Sequence, residues 1–101
     1  MSINLKSLTS VLDAEWIGSN TAVFIDHISI DSRSLQNGPQ TLFFALSGVN
    51  NDAHLYIEEL INKGVTNFVV QYVPENCTEK ANFLVVKDTL VALQHFAAYY
   101  R

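Results

Sequence analysis

Residues 42–61 read Leu42-Phe43-Phe44-Ala45-Leu46-Ser47-Gly48-Val49-Asn50-Asn51-Asp52-Ala53-His54-Leu55-Tyr56-Ile57-Glu58-Glu59-Leu60-Ile61. The hydrophobic period changes midway. Leu42 to Leu46 is an unbroken apolar run of strand length, the pattern of a strand covered on both faces. Ala53, Tyr56, Ile57, Leu60 and Ile61 then follow i, i+3, i+4, i+7, i+8 spacing, the apolar stripe of a core-facing helix. Asn51 or Asp52 suits its N-cap, and Gly64 stands where a left-handed residue closes a helix. A doubly covered strand, a polar loop and an amphipathic helix make a β–α unit, which belongs in a sheet flanked by helices.

The flanking sequence repeats the alternation. Upstream, Leu5, Leu8 and Leu12 mark one helical face, with Asn4 as N-cap, Ile3 and Leu8 as a hydrophobic staple, and Gly18-Ser19-Asn20 ending the unit. Thr21 to Ile30 is rich in β-branched and aromatic residues and reads as one strand, or as two interrupted at Asp26-His27. Asn67 to Gln71 and Asn82 to Val86 are two further short, buried-type strands. Asp88 or Thr89 then caps a last helix, with Leu90, Leu93, Ala97 and Tyr100 on one face. The expected fold is α/β, a three-layer domain with a mixed or mostly parallel sheet flanked by helices.

Composition narrows the function classes. The 101 residues suit one domain, spanning 1–101, and 49% hydrophobic content is globular. Six Lys+Arg against ten Asp+Glu give a net charge of −4, with no basic run, which argues against nucleic acid or an anionic membrane as partner. The 16% charged residues fall below the usual ~25%, so part of the surface is expected to be covered by ligand or protein. Cys77 is the single cysteine, and among its neighbours only Lys80 is basic, so it reads as a bystander. No signal peptide or apolar run of membrane-spanning length is visible, and a cytoplasmic location is expected. The last helix runs to Arg101 without a stop signal, as expected of the first piece of a longer protein.

No autonomous catalytic motif stands out. The four glycines are isolated, and no G-x-x-x-x-G-K-[ST] or G-x-G-x-x-G pattern occurs. His27, His54 and His95 show no metal-ligand spacing, and no G-x-S-x-G elbow supports a serine nucleophile. Binding is better supported, because ligands of such sheets gather at loops beyond the carboxyl ends of strands. Asp31-Ser32-Arg33 follows one strand, where Arg33 suits phosphate or carbonyl oxygens and Ser32 a single hydrogen bond. The same three residues also fit a capped turn in which Arg33 pairs with Asp31. The second loop, Gly48-Val49-Asn50-Asn51-Asp52-Ala53-His54, combines a glycine that permits close approach with two amides matched to the edge of a base such as uracil. His54 would lie in the first turn of the helix that follows, whose free N–H groups favour an anion. An ordinary capped helix entry with a solvated histidine fits this loop as well. Trp16, Tyr99 and Tyr100 read as packing residues, or as cover for a junction with further protein.

Taken together, the loops resemble the N-terminal domain of Mur ligases. The resemblance is carried by Ile28-Ser29-Ile30-Asp31-Ser32-Arg33, by Leu42-Phe43-Phe44-Ala45-Leu46-Ser47-Gly48, and by Asn51-Asp52-Ala53-His54-Leu55-Tyr56-Ile57. Lys63-Gly64-Val65 and the stretch from Asp88 to Tyr99 continue it. The family's pattern is D-S-R, a short loop, L-F-F-A-L-x-G, then D-G-H and a helix ending in Gly.

The resemblance implies an ATP-dependent amide-forming ligase of peptidoglycan precursor synthesis. Such a ligase makes an acyl phosphate on UDP-N-acetylmuramoyl peptide, which an incoming amine attacks. The N-terminal domain would hold the UDP end. ATP and Mg2+ would belong to the full-length enzyme, and the central and C-terminal domains, absent here, would be this domain's partners. This chain alone would be inactive and carry no cofactor. Within the family, Ile28 to Arg33 and Gln94 to Arg101 look most like the member adding D-alanyl-D-alanine, ahead of the member adding the third stem residue. The resemblance implies that Ser32 and the loop Val49-Asn50-Asn51 contact uridine and ribose, with Gly48 in the same UDP site, and that Arg33 and His54 lie nearby, either supporting the loop or reaching phosphate. Two departures stand out: Ala53 replaces the glycine of D-G-H, and the loop Gln36 to Thr41 is longer than the family's Pro-Gly-Asp. A non-catalytic α/β protein-interaction module is the competing expectation. A phosphoacceptor receiver domain is disfavoured, since no acidic pair follows the first strand.

Overall fold

The computed structural model describes residues 3–18, 24–30, 40–46, 56–73 and 81–99. The apolar run that starts at Leu42 forms strand β5 (Thr41–Phe44), and Leu42, Phe43, Phe44 and Ala45 are all fully buried. Because successive strand residues point to opposite faces, the run feeds two cores at once. Leu42 and Phe44 join one apolar cluster, while Phe43 and Ala45 join the other.

The other strands are β1 (Ile3–Asn4), β2 (Glu15–Ile17), β3 (Phe24–Ile25), β4 (His27–Ser29), β6 (Asn67–Val70) and β7 (Asn82–Val85). Among the described residues they form a five-stranded sheet, ordered β2-β7-β6-β5-β4, and a separate β1-β3 pair. Within the five-stranded sheet β4, β5, β6 and β7 run parallel and β2 is antiparallel to β7, while β1 and β3 pair antiparallel. The sheet is therefore mixed and mostly parallel, as expected.

Helices cover both faces. α2 (Ile57–Asn62) buries Ile57 and Leu60 with Phe43, Phe68 and Phe83 on one side. α1 (Leu8–Leu12), α3 (Thr89–Tyr99) and the β1-β3 pair cover the other, where Leu8, Leu12, Ile25, Ala92 and Phe96 meet Phe44, Val69 and Leu84. Burying each such side chain is worth about 1.5–3 kcal/mol.

Local signals explain the helix ends. Asn4 caps as expected, its side chain accepting from the Lys6 N–H at 3.0 Å, but the first turn, Leu5–Ser7, is a 3₁₀ helix. Gly64, at φ +102°, closes α2. The Gly64 N–H donates to Ile61 O and the Val65 N–H to Leu60 O, both at 3.0 Å, a Schellman closure with Leu60 and Val65 buried together.

Three expectations need correction. α2 begins at Ile57 with Tyr56 in the N-cap position and no side-chain cap bond, not at a cap formed by Asn51 or Asp52. The first helix ends at Asp13, in a left-handed conformation (φ 53°), well before Gly18, and a strand, β2, intervenes. The buried face of α3 is Thr89, Ala92 and Phe96 with Leu93 beside it, whereas Leu90 and Ala97 are exposed. The Thr21–Ile30 stretch divides at Asp26, with its halves in different sheets.

A polar ladder crosses the amino ends of the parallel strands. Thr41, Asn67 and Asn82 open β5, β6 and β7, and all three are buried. Asn82 Nδ2 donates to Asn67 Oδ1 at 3.0 Å, and Asn67 Nδ2 donates to Thr41 O at 3.4 Å. Every buried side-chain nitrogen or oxygen among the described residues has a partner, which keeps this ladder from carrying a desolvation penalty.

Candidate functional site

Parallel pairing brings the two candidate loops to one edge. β4 and β5 are adjacent, with Ser29 opposite Phe43, so both strands end on the same side of the sheet. Residues 31–39 follow β4, and residues 47–55 follow β5. The first segment carries Ser32 and Arg33; the second carries Gly48, Val49, Asn50, Asn51 and His54. All seven lie outside the described residues, as do Asp31, Asp52 and Ala53. Their anchors are described: Ile30 after β4, Leu46 after β5, and Tyr56 at the entry to α2.

The carboxyl edge continues across β6 and β7. Ala45 N–H donates to Val69 O at 2.9 Å and Val86 N–H to Val70 O at 2.8 Å, carrying the ladder one residue past the strand ends. Gln71 Oε1 accepts from the Thr89 N–H at 3.2 Å and from Thr89 Oγ1 at 3.4 Å, tying the end of β6 to the start of α3. Asp88 is the N-cap, its Oδ1 accepting from Leu90 N–H at 2.9 Å and Val91 N–H at 3.2 Å. Sequence reasoning singled out neither Gln71 nor Tyr72. The available signal was a polar–aromatic step directly after a buried strand, at the edge where ligands gather.

The remaining singled-out residues fall elsewhere. Trp16 Nε1 donates to Gly18 O at 3.1 Å, and Trp16 packs on the α1–α3 core. His27 is exposed and lies 2.7 Å from Asp26 Oδ1 through Nδ1. His95 is exposed at the rim of a cavity of about 180 Å³, lined by Leu12, Val86 and Val91 among others. That volume is below the ~300–1,000 Å³ of small-molecule sites. Tyr99 is exposed, while Cys77 and Tyr100 lie outside the described residues. Among the described residues no three His, Cys, Asp or Glu side chains gather as metal ligands, and no helix is long and apolar enough to cross a membrane.

The geometry defines a class first: a three-layer α/β domain whose mostly parallel sheet sends two polar loops from adjacent strands to its carboxyl edge. No protein-family model matches the chain. Individual proteins do. The UDP-N-acetylmuramoyl-tripeptide–D-alanyl-D-alanine ligase of Haemophilus influenzae is 37% identical over 100 residues, covering 98% of this chain and 21% of that protein. The UDP-N-acetylmuramoyl-L-alanyl-D-glutamate–2,6-diaminopimelate ligase of Parabacteroides distasonis is 33% identical over 91 residues, covering 90% of this chain and 18% of that protein. A crystal structure of MurF from Acinetobacter baumannii superposes with a TM-score of 0.85 at 25% identity, over 98% of this chain and 21% of that one. The chain belongs to the Mur ligase family and matches its N-terminal region. It spans about a fifth of the length of these relatives.

Proposed function

We propose that this chain is the domain that holds the UDP end of UDP-N-acetylmuramoyl peptide for an ATP-dependent amide-forming ligase of the cytoplasm. The observation that carries the proposal is the pairing of β4 with β5, which roots both polar loops side by side at the carboxyl edge. Ser32 and the Val49-Asn50-Asn51 loop contact uridine and ribose, and Gly48 lets the backbone approach. Arg33 and His54 lie toward phosphate. The chain's own work is to bind and orient; ATP with Mg2+ supplies acyl activation on the central domain. Modest affinity is expected, because the other domains contribute most phosphate and peptide contacts.

The step best supported is D-alanyl-D-alanine addition, since relatives with that name match at 37% and 35% identity over nearly the whole chain. Addition of the third stem residue is the second reading, supported by the 33% match to a diaminopimelate ligase. An NMR titration with UDP tests the site. Amides around Ser32 and Val49 to Asn51 should shift together. No shifts at millimolar UDP, or shifts elsewhere, would overturn the assignment.

A further inference from the structure

The carboxyl edge holds an aromatic side chain that the motif does not include. β6 runs parallel to β5, and Gln71 and Tyr72 follow its last residue, Val70, so they leave the sheet at the edge from which residues 47–55 also depart. Tyr72 is 48% exposed. Its backbone is held from both sides. Gln71 is fixed by its two bonds to Thr89, and Val73 packs against the α2-side core. A rigidly rooted, half-exposed tyrosine offers a ring face with little conformational entropy to lose on binding. Polar groups at a strand edge can read the rim of a planar base, but they do not cover its face. An aromatic ring does, and stacking is the usual way proteins hold an unpaired base.

We propose that Tyr72 is a binding residue that stacks on the base of the nucleotide held at this edge, an assignment that rests on the UDP-binding reading above. The phenol is not needed for this role, only the ring. Tyr72→Phe should therefore keep UDP affinity, while Tyr72→Leu and Tyr72→Ala should each weaken it about tenfold, within the span of single-base stacking. Tyr99→Ala removes a still more exposed tyrosine from the far end of α3 and should leave affinity unchanged.

The titration is read on both molecules. With the wild type and Tyr72→Phe, the uracil H5 and H6 resonances should move upfield on binding, by the ring current of a stacked aromatic. With Tyr72→Leu, which keeps apolar bulk, that upfield movement should vanish. Two outcomes overturn the proposal: wild-type affinity in a folded Tyr72→Leu chain, or an upfield shift that survives the loss of the ring. If the wild-type chain shows no response to UDP, the site assignment falls and takes the stacking role with it. If the wild type responds at Ser32 and Asn51 but the Tyr72 variants match it, only the stacking role falls.

Discussion

Gly18 tests the packing at the amino edge directly. β2 runs antiparallel to β7, with Ile17 opposite Phe83, so Gly18 leaves the sheet beside Asn82. A Cβ at Gly18 would lie 2.5 Å from Asn82 Oδ1 and 3.0 Å from Asn82 Cα. Neither atom is free to yield. Asn82 N–H donates to Thr66 O at 2.7 Å, and Asn82 Nδ2 donates to Asn67 Oδ1 at 3.0 Å. Turning the amide away orphans a buried donor and acceptor, at about 1–3 kcal/mol. Moving β2 away instead strains the β2–β7 pairing and the Trp16–Gly18 bond, and overpacking of this kind also costs about 1–3 kcal/mol. Gly18→Ala is thus expected to destabilise the chain by about 1–3 kcal/mol, lowering Tm by roughly 5–20 °C for a domain of this size.

Urea unfolding followed by circular dichroism measures the loss, and a double-mutant cycle assigns its cause. Asn82→Ala alone should also destabilise, since it removes the buried hydrogen bond from Asn82 Nδ2 to Asn67 Oδ1. In the Gly18→Ala background it should cost less, because the amide oxygen that met the new methyl is gone. Strict additivity of the two, or a Gly18→Ala effect within about 0.5 kcal/mol, would refute the steric account.

Two further substitutions probe other levels of the fold. Gly64→Ala meets no atom within 4 Å, so its cost is conformational alone, about 1–2 kcal/mol for a Cβ at φ +102°; Gly64→Asn should lose less, and thermal unfolding ranks the two. Phe68→Ala removes a ring stacked on Phe83 at 5.5 Å and edge-on to Phe43 at 6.1 Å, and should cost about 3–5 kcal/mol by denaturant unfolding.

Features set by nearby residues were legible in the sequence, and features set by distant pairing were not. The Asn4 and Asp88 caps and the Gly64 closure depend on backbone groups a few residues away, so residue type and spacing announce them. β2 escaped because Glu15-Trp16-Ile17 is three residues long and owes its strand to β7, far along the chain. The α3 face was misjudged for another reason. Leu90, Val91, Ala92, Leu93, Phe96, Ala97 and Ala98 leave almost no polar side to the helix, so period alone cannot choose the buried stripe. What chose it was the seat against Phe44 and Leu84, with Phe96 meeting Phe44 at 5.9 Å. The motifs that mark the candidate loops were legible in the sequence, and the parallel pairing of β4 and β5 adds that the strands preceding them lie side by side.

On the proposed UDP-binding reading the two ends of the sheet do different work, and that division is itself measurable. At the amino ends, Thr41, Asn67 and Asn82 form a buried, satisfied network, and Gly18 packs against Asn82 with no room for a methyl. At the carboxyl ends, Ile30 and Tyr72 are exposed and the two polar loops depart. Changes at the first end should therefore alter folding without altering the intrinsic affinity of the second. On the proposed UDP-binding reading, UDP at a fixed concentration about ten times the unmutated chain's dissociation constant should add about 1.4 kcal/mol to unfolding, an increment that at that concentration reports affinity. Gly18→Ala should keep that increment whole even as its baseline stability falls, whereas Ser32→Ala should shrink the increment and leave the baseline within about 0.5 kcal/mol. A reduced UDP increment in Gly18→Ala would show that strain at the amino edge reaches the loops through the strands, and the two ends would then have to be treated as one coupled unit.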